Sequence, residues 1–294
     1  MSEVLKDSLN ARAALVEEAL ADRLSHRPGE VALRQLEAAV KHGALGGGKR
    51  LRPFLLVESA VLVGASATMA MPAACAIEMI HAYSLIHDDL PAMDDADTRR
   101  GKPSVHKAYD DAIAILAGDA LLTDAFAVLT DGTYPAGMAA ELVQTLAVAA
   151  GSHGMVGGQM MDLYPPEMTE DAIIAIQARK TGALIEAAAE MGGIVGGASA
   201  GERAALKTYA RAVGLAFQIV DDVLDVTQTA EALGKPAGAD DAAGKATFVS
   251  LLGLDGARTR IAGLTEEAHT ALEAFGERAD LLKALATNLA DRTH

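Results

Sequence analysis

Tryptophan is absent from this 294-residue chain, cysteine occurs once, and aromatic residues make up only 3% of it. The core must therefore be built from Ala, Leu, Ile, Val and Met, within an apolar content of 51%. Such a composition favours helices over sheets. The lone Cys75 excludes an internal disulfide and fits a reducing compartment, so a cytoplasmic location is expected. Positive charge is scarce: the formal net charge is −15, which argues against a nucleic-acid partner. Uninterrupted apolar runs are also missing. Residues 183–200 carry several glycines with Glu186 and Glu190, so they read as buried helix, and no stable membrane insertion is expected. The first residues, Met-Ser-Glu-Val-Leu-Lys-Asp, lack a signal-peptide core. Period-two alternation, internal repeats and Pro/Ser linkers are lacking too. The expectation is one all-α domain over residues 1–294.

What is present is helical spacing broken by glycine, proline and charge. Apolar residues at helical intervals predict helices over 3–25, 30–42, 52–63, 72–90, 108–130, 135–150, 169–192, 201–226, 247–252, 254–275 and 278–289. Residues 64–71 read as a turn, 102–107 as a connector, and 151–158 as a glycine-rich bend. The helix over 72–90 runs into Asp88, Asp89, Asp94, Asp95 and Asp97, followed by Arg99 and Arg100. The helix over 201–226 ends in Asp221, Asp222 and Asp225. Carboxylates at a helix C-terminus oppose the helix dipole, by up to about 1 kcal/mol each. Two such clusters call for a cation. Hard oxygen donors favour Mg²⁺, especially where phosphates complete its shell. Asp94 lies six residues past Asp88, so only a chain reversal after Pro91 would bring both to one metal.

The cations stand beside glycines and acids: Lys49, Arg50 and Arg52 after Gly46-Gly47-Gly48, then Arg99, Arg100, Lys180, Lys235 and Lys245. Carboxylate-held Mg²⁺ ringed by Lys and Arg describes a polyphosphate site. The P-loop spacing is absent, and a base would find few aromatic rings to stack on. Aliphatic helices around a diphosphate site point to a diphosphate with a hydrocarbon tail.

Several stretches resemble one family. They are Gly47-Gly-Lys-Arg-Leu-Arg-Pro53, His81-Ala-Tyr-Ser-Leu-Ile-His-Asp-Asp-Leu-Pro-Ala-Met-Asp94, Arg99-Arg-Gly-Lys-Pro103, Gly118-Asp-Ala-Leu-Leu122, Lys180-Thr-Gly182, Phe217-Gln-Ile-Val-Asp-Asp-Val-Leu-Asp225 and Gly234-Lys235. In order and spacing, from about residue 40 to residue 250, they resemble bacterial short-chain trans-prenyltransferases of the farnesyl/geranylgeranyl diphosphate synthase type. The resemblance implies a single bundle of about ten or more helices around a central cavity, and a homodimer. It implies about three Mg²⁺ per site, with Mn²⁺ as a substitute, held by Asp88 and Asp94 on one side and Asp221 and Asp225 on the other.

It further implies that Arg99, Lys180 and Lys235 contact an allylic diphosphate, and that Lys49, Arg52, His81 and Arg100 hold isopentenyl diphosphate. Lys180, Thr181 and Gln218 would stabilise developing positive charge, and Lys245 would close over the metals. In the family an aromatic five residues before the first aspartate, with the longer aspartate spacing seen here, goes with a fifteen-carbon product. Tyr83, backed by Ser84, therefore favours farnesyl over geranylgeranyl diphosphate. Rival readings are a non-catalytic relative, a terpene cyclase and a di-iron bundle built on Glu78-x-x-His81 and Glu266-x-x-His269. The cyclase lacks its usual Asn/Ser/Glu second motif here. The di-iron reading leaves both aspartate clusters unexplained.

Overall fold

A computed structural model describes residues 2–25, 30–165, 169–227 and 247–291. In chain order these form α1 (Glu3–Arg23), α2 (Val31–Ala44), α3 (Leu51–Leu62), α4 (Ala67–Asp88), a hairpin of β1 (Thr98–Arg99) and β2 (Lys102–Pro103), and α5 (Val105–Ala108). Then come α6 (Asp111–Leu129), α7 (Ala136–Ala150), α8 (Met155–Leu163), α9 (Glu170–Gln177), a π-helical turn (Ala178–Gly182) and α10 (Ala183–Val195). Last are α11 (Ala200–Thr227), α12 (Phe248–Ala271), a 3₁₀ segment (Glu273–Ala279) and α13 (Asp280–Asp291). The all-α expectation holds. Lys235 and Lys245 lie outside the described residues.

α4 runs through the middle, packed on α6, α3, α10 and α2. Its Ala73, Ala74, Cys75, Ala76 and Ile77 are fully buried, small side chains that let neighbouring helices approach closely. The core is aliphatic throughout, with Phe54, Tyr209 and Phe248 its few fully buried rings.

Three boundaries differ from the sequence expectation. α4 starts at Ala67, with the Ser66 hydroxyl accepting from Met69 N–H, so Pro72 lies inside the helix and not at its first turn. Proline removes one ladder donor there. The Tyr134 hydroxyl supports this turn by accepting from Ala73 N–H at 3.1 Å and donating to the Met69 carbonyl at 2.8 Å. The glycine-rich bend expected over 151–158 gives way to helix from Met155. Gly158 is there for close approach: a Cβ would overlap the backbone of Lys180, whose Cα would stand 2.6 Å away. The connector at 102–107 contains a hairpin strand and a helical turn, and α6 begins only at Asp111, capped by Asp110 accepting from Ile113 N–H at 2.7 Å.

Candidate functional site: an anion-binding cavity beside the C-terminus of α4

α4 ends at Asp88, and the chain then reverses, as Pro91 requires. Asp94 N–H donates to the Asp88 carbonyl at 2.8 Å, and Ala96 N–H to the Asp89 carbonyl at 3.1 Å. The reversal returns Asp94 to Asp88, out of helical phase. Burial pushes the Asp88 carboxyl up to about 6. Lys180 and Arg99 oppose this shift, and Asp94 and Asp89 add to it. Asp89 itself is buried and pairs with Arg99, Nη2 to Oδ1 at 2.5 Å and Nε to Oδ1 at 2.9 Å. Asp95 and Asp97 are occupied elsewhere, both reached by Lys107 at 3.5 and 3.0 Å. Of the five aspartates, Asp88 lines a cavity, and the reversal brings Asp94 near enough for its charge to act on Asp88.

The hairpin separates the two arginines. Thr98 pairs with Pro103 and Arg99 with Lys102, leaving Arg100-Gly101 as a two-residue turn with φ of 54° and 76°. Positive φ at both central positions is the type I′ pattern that matches strand twist. Arg99 points to Asp89, whereas Arg100 points to Glu78, with Nη2 to Oε1 at 3.7 Å. The Gly46–Gly48 run drapes over this turn. All three glycines have positive φ, and a Cβ on Gly48 would meet the Arg100 guanidinium carbon at 2.9 Å. The glycines thus make room for an arginine side chain, beyond any approach to a ligand.

Arg50 is a structural cation. It is buried, with φ of 47° at the N-cap of α3. It donates to Glu78, to Glu17 of α1 and, at 2.7 Å, to the Ala44 carbonyl. Burial works against its charge, but Glu78 and Glu17 more than offset this and raise its pKa. Arg52 and Arg100 are different. Burial lowers the pKa of each despite Glu78. Arg52 Nε and Arg100 Nη1 are buried donors without a hydrogen-bond partner among the described residues. Leaving such a donor unmade costs about 1–3 kcal/mol, a cost that a bound anion would remove. Between them His81 is held well below the usual histidine range by burial and by Arg52, Arg100 and Arg50, so it is neutral at pH 7.

Two cavities lie side by side here. One, about 360 Å³, is lined by Asp88, Lys180, Thr181, Arg52 and His81 at its polar end. Tyr83, Leu85, Met93, Met155, Val156, Met160 and Leu163 form its mainly apolar remainder, with Ser84, His87 and Gln159 among them. The other, about 170 Å³, is lined by Lys49, Arg52, Glu78, His81, Arg100, Thr181 and Phe217. Arg52, His81 and Thr181 line both. The Ser84 hydroxyl donates back to the His81 carbonyl at 2.9 Å, so it can face hydrocarbon with its donor satisfied. Lys180 and Thr181 sit on the π-helical turn, a one-turn irregularity of the kind that often marks a functional site. Lys180 Nζ pairs with Asp162 of α8 at 2.6 Å.

The second cluster closes α11, where Asp221 is exposed and Asp225 is buried. Asp222 caps the next helix, accepting from Phe248 N–H at 2.8 Å. Gln218 is half-buried, next to the cavity-lining Phe217. The charges acting most strongly on Asp88 do not include this cluster.

The profile of the polyprenyl synthetase family matches residues 33–285. The chain belongs to the polyprenyl synthetase family. It is 47% identical over 266 residues to geranylgeranyl pyrophosphate synthase 9, chloroplastic, of Arabidopsis thaliana, covering 87% of this chain and 74% of the relative. It is 45% identical over 295 residues to a dimethylallyltranstransferase of Fischerella ambigua (strain UTEX 1903), covering 99% and 84%. Among solved structures, an FPP/GFPP synthase of Zymomonas mobilis superposes with a TM-score of 0.88 at 42% identity, over 99% of this chain and 100% of the other.

A polyprenyl synthetase needs a divalent cation, and the donor set fits one. Asp88 and Asp94 offer carboxylate oxygens, and Asp88 sits where its negative charge is penalised. No group of three potential ligands occurs among the described residues. Mg²⁺ itself uses one or two carboxylates, keeps several waters and takes the rest of its shell from phosphates. The di-iron reading fails on geometry: Glu78 is committed to Arg50 and Arg100, and His269 Nε2 bonds the Lys283 carbonyl at 3.1 Å and Thr287 at 3.0 Å. Sequence reasoning missed Glu17, Glu78 and Asp162, the carboxylates that hold Arg50, Arg100 and Lys180. Their partners lie 33, 28 and 18 residues away for Glu17–Arg50, Glu78–Arg50 and Asp162–Lys180.

Proposed function

We propose that this protein condenses isopentenyl diphosphate with an allylic diphosphate, dimethylallyl or geranyl, to give farnesyl diphosphate. The observation that carries the reading is the pair of cavities that share Arg52, His81 and Thr181 as lining. Unpartnered arginine donors and a neutral histidine line one chamber, and Asp88, Lys180 and an apolar channel line the other. Mg²⁺ bound at Asp88, Asp94 and the Asp221/Asp225 cluster would neutralise the leaving diphosphate and promote ionisation. Arg99 and Lys180 hold that diphosphate. Lys49, Arg52, His81 and Arg100 hold the second substrate, its double bond turned to the allylic carbon. The π-turn carbonyls of Lys180 and Thr181, with Gln218, face the developing positive charge. The allylic C–O bond breaks, a C–C bond forms, and the proton lost from the new cation passes to the released diphosphate. Lys235 and Lys245 would complete the diphosphate contacts.

Tyr83 supports the fifteen-carbon product: it is buried, lines the channel, and lies one helical turn before His87 on α4. The names of the Arabidopsis relatives favour a second reading, a twenty-carbon geranylgeranyl product. Chromatography of products from labelled isopentenyl diphosphate with each allylic starter, with and without Mg²⁺, separates the two. Wild type should give Mg²⁺-dependent fifteen-carbon product, and Tyr83→Ala should lengthen it. No condensation with any starter would defeat the reading, and unchanged output from Tyr83→Ala would defeat the floor assignment.

We propose further that the protein is a homodimer joined through α6. That helix is one of two, with α4, long and apolar enough to cross a membrane by length and composition. α4 is mostly inside the fold, but α6 leaves Ile115 46% and Leu116 55% exposed. A second copy of this face would cover them.

A further inference from the structure

We propose that His87 is a positioning residue for the Tyr83 floor, so that His87 and its glycine seat on α6 take part in setting product length. This rests on the reading of Tyr83 as the channel floor. His87 lies one helical turn past Tyr83 on α4, and both line the same channel. The two rings meet edge to face, with centroids 5.8 Å apart and planes at 76°, a favoured arrangement for aromatic pairs. The far side of the His87 ring is clamped to α6. Nε2 lies 3.1 Å from the Ile115 carbonyl. A carbonyl only accepts, so Nε2 carries the proton and the tautomer is fixed.

One turn along α6, Gly118 is buried and bare, and a Cβ there would overlap the ring, with Cδ2 2.5 Å and Cε1 2.8 Å from it. The imidazole therefore sits in a notch that only glycine leaves open, tied by one hydrogen bond. It presents its other edge to the tyrosine. Although it neighbours Asp88 in sequence, it is turned toward α6. Its contacts serve the wall of the channel.

The consequences have opposite signs. His87→Ala removes the buttress, so Tyr83 gains room to tilt and the tail can extend. Gly118→Ala fills the notch and forces the ring toward the channel, shortening it. The experiment compares product distributions of wild type, Tyr83→Ala, His87→Ala, His87→Phe and the double variant Tyr83→Ala/His87→Ala, with folding checked by circular dichroism. His87→Ala should raise the twenty- to fifteen-carbon ratio by about tenfold, the scale on which an apolar pocket discriminates a small group. His87→Phe, which keeps the ring contact with Tyr83, should retain mainly fifteen-carbon product. The double variant should match Tyr83→Ala alone, because no ring remains to be held.

If Tyr83→Ala lengthens the product and His87→Ala does not, the positioning role is overturned and the floor reading stands. If neither lengthens it, both fall. If the double variant exceeds Tyr83→Ala, His87 is an independent wall and the buttress is overturned. Gly118→Ala supplies a second direction: a shift to ten-carbon product supports the notch, and an unchanged distribution from folded protein overturns it.

Discussion

Asp88 carries two opposed demands in one side chain. Burial and the adjacent carboxylates push it up to about 6, so above that pH its charge costs the metal-free fold. The sign follows from the direction. A carboxyl pKa raised in the fold contributes stability that is fully present only below the unfolded carboxylate value and is lost as pH rises from there through the folded value. Asp88→Asn should therefore stabilise the metal-free protein at pH 7.5 by about 1–3 kcal/mol, while losing most activity. Urea denaturation in chelator at pH 7.5 and 5.5 tests this, with the gain expected to shrink at the lower pH. His81 works the other way: its lowered pKa means that stability falls as pH drops below the unfolded histidine range. The pairing of Asp88 with Asp94 was legible because Pro91 ends any helical phase between them. The identity of Arg50 was not. It sits between Lys49 and Arg52, which line the smaller cavity, and only packing reveals that Glu17 and Glu78 claim it.

At the level of elements, the π-helical turn and α8 form one unit. Gly158 lets α8 lie directly on the backbone of Lys180, and Asp162, one turn later, takes the lysine ammonium. Gly158→Ala sets two effects against each other. Alanine gains about 1 kcal/mol in helix propensity. The new methyl group would meet backbone, which cannot swing aside, and overpacking costs about 1–3 kcal/mol. The clash should prevail, lowering stability and weakening the grip on allylic diphosphate as Lys180 shifts. Thermal melts and the KM for geranyl diphosphate read the two effects. A π turn has no residue signature distinct from a helix with one poor former, here Gly182. The start of α4 was likewise hidden, because proline normally reads as a first-turn residue and the hydroxyl that tolerates it comes from Tyr134, 61 residues away.

For the whole molecule, the expected all-α class was readable from scarce aromatics and helical spacing. The arrangement of helices around the cavity needed long-range packing to appear. The exposed apolar strip of α6 belongs to this scale. If the proposed dimer forms through this face, replacing Ile115 and Leu116 together with glutamate should convert it to monomer, since desolvating carboxylates in an apolar interface is unfavourable. Sedimentation of the double variant at micromolar concentration tests this, and an unchanged mass would remove α6 from the interface. His87 hangs from the Ile115 carbonyl, so loosening this face should also broaden the product distribution.

The two-residue turn at Arg100-Gly101 has a consequence for repeated rounds of extension. Arg99 and Arg100 are consecutive, about 3.8 Å apart between Cα atoms, yet the turn sends one side chain to Asp89 and the other to Glu78. The turn acts as a fixed gauge. On the proposed function, each round would bring the same pair of charged heads to these two arginines, whatever the tail has become. A catalyst gauged at its heads cannot measure the length of what it makes there. On the proposed reading, counting carbons is left to the channel wall at Tyr83 and His87 on α4, so the synthesis of a bond and the decision to stop are separable by mutation.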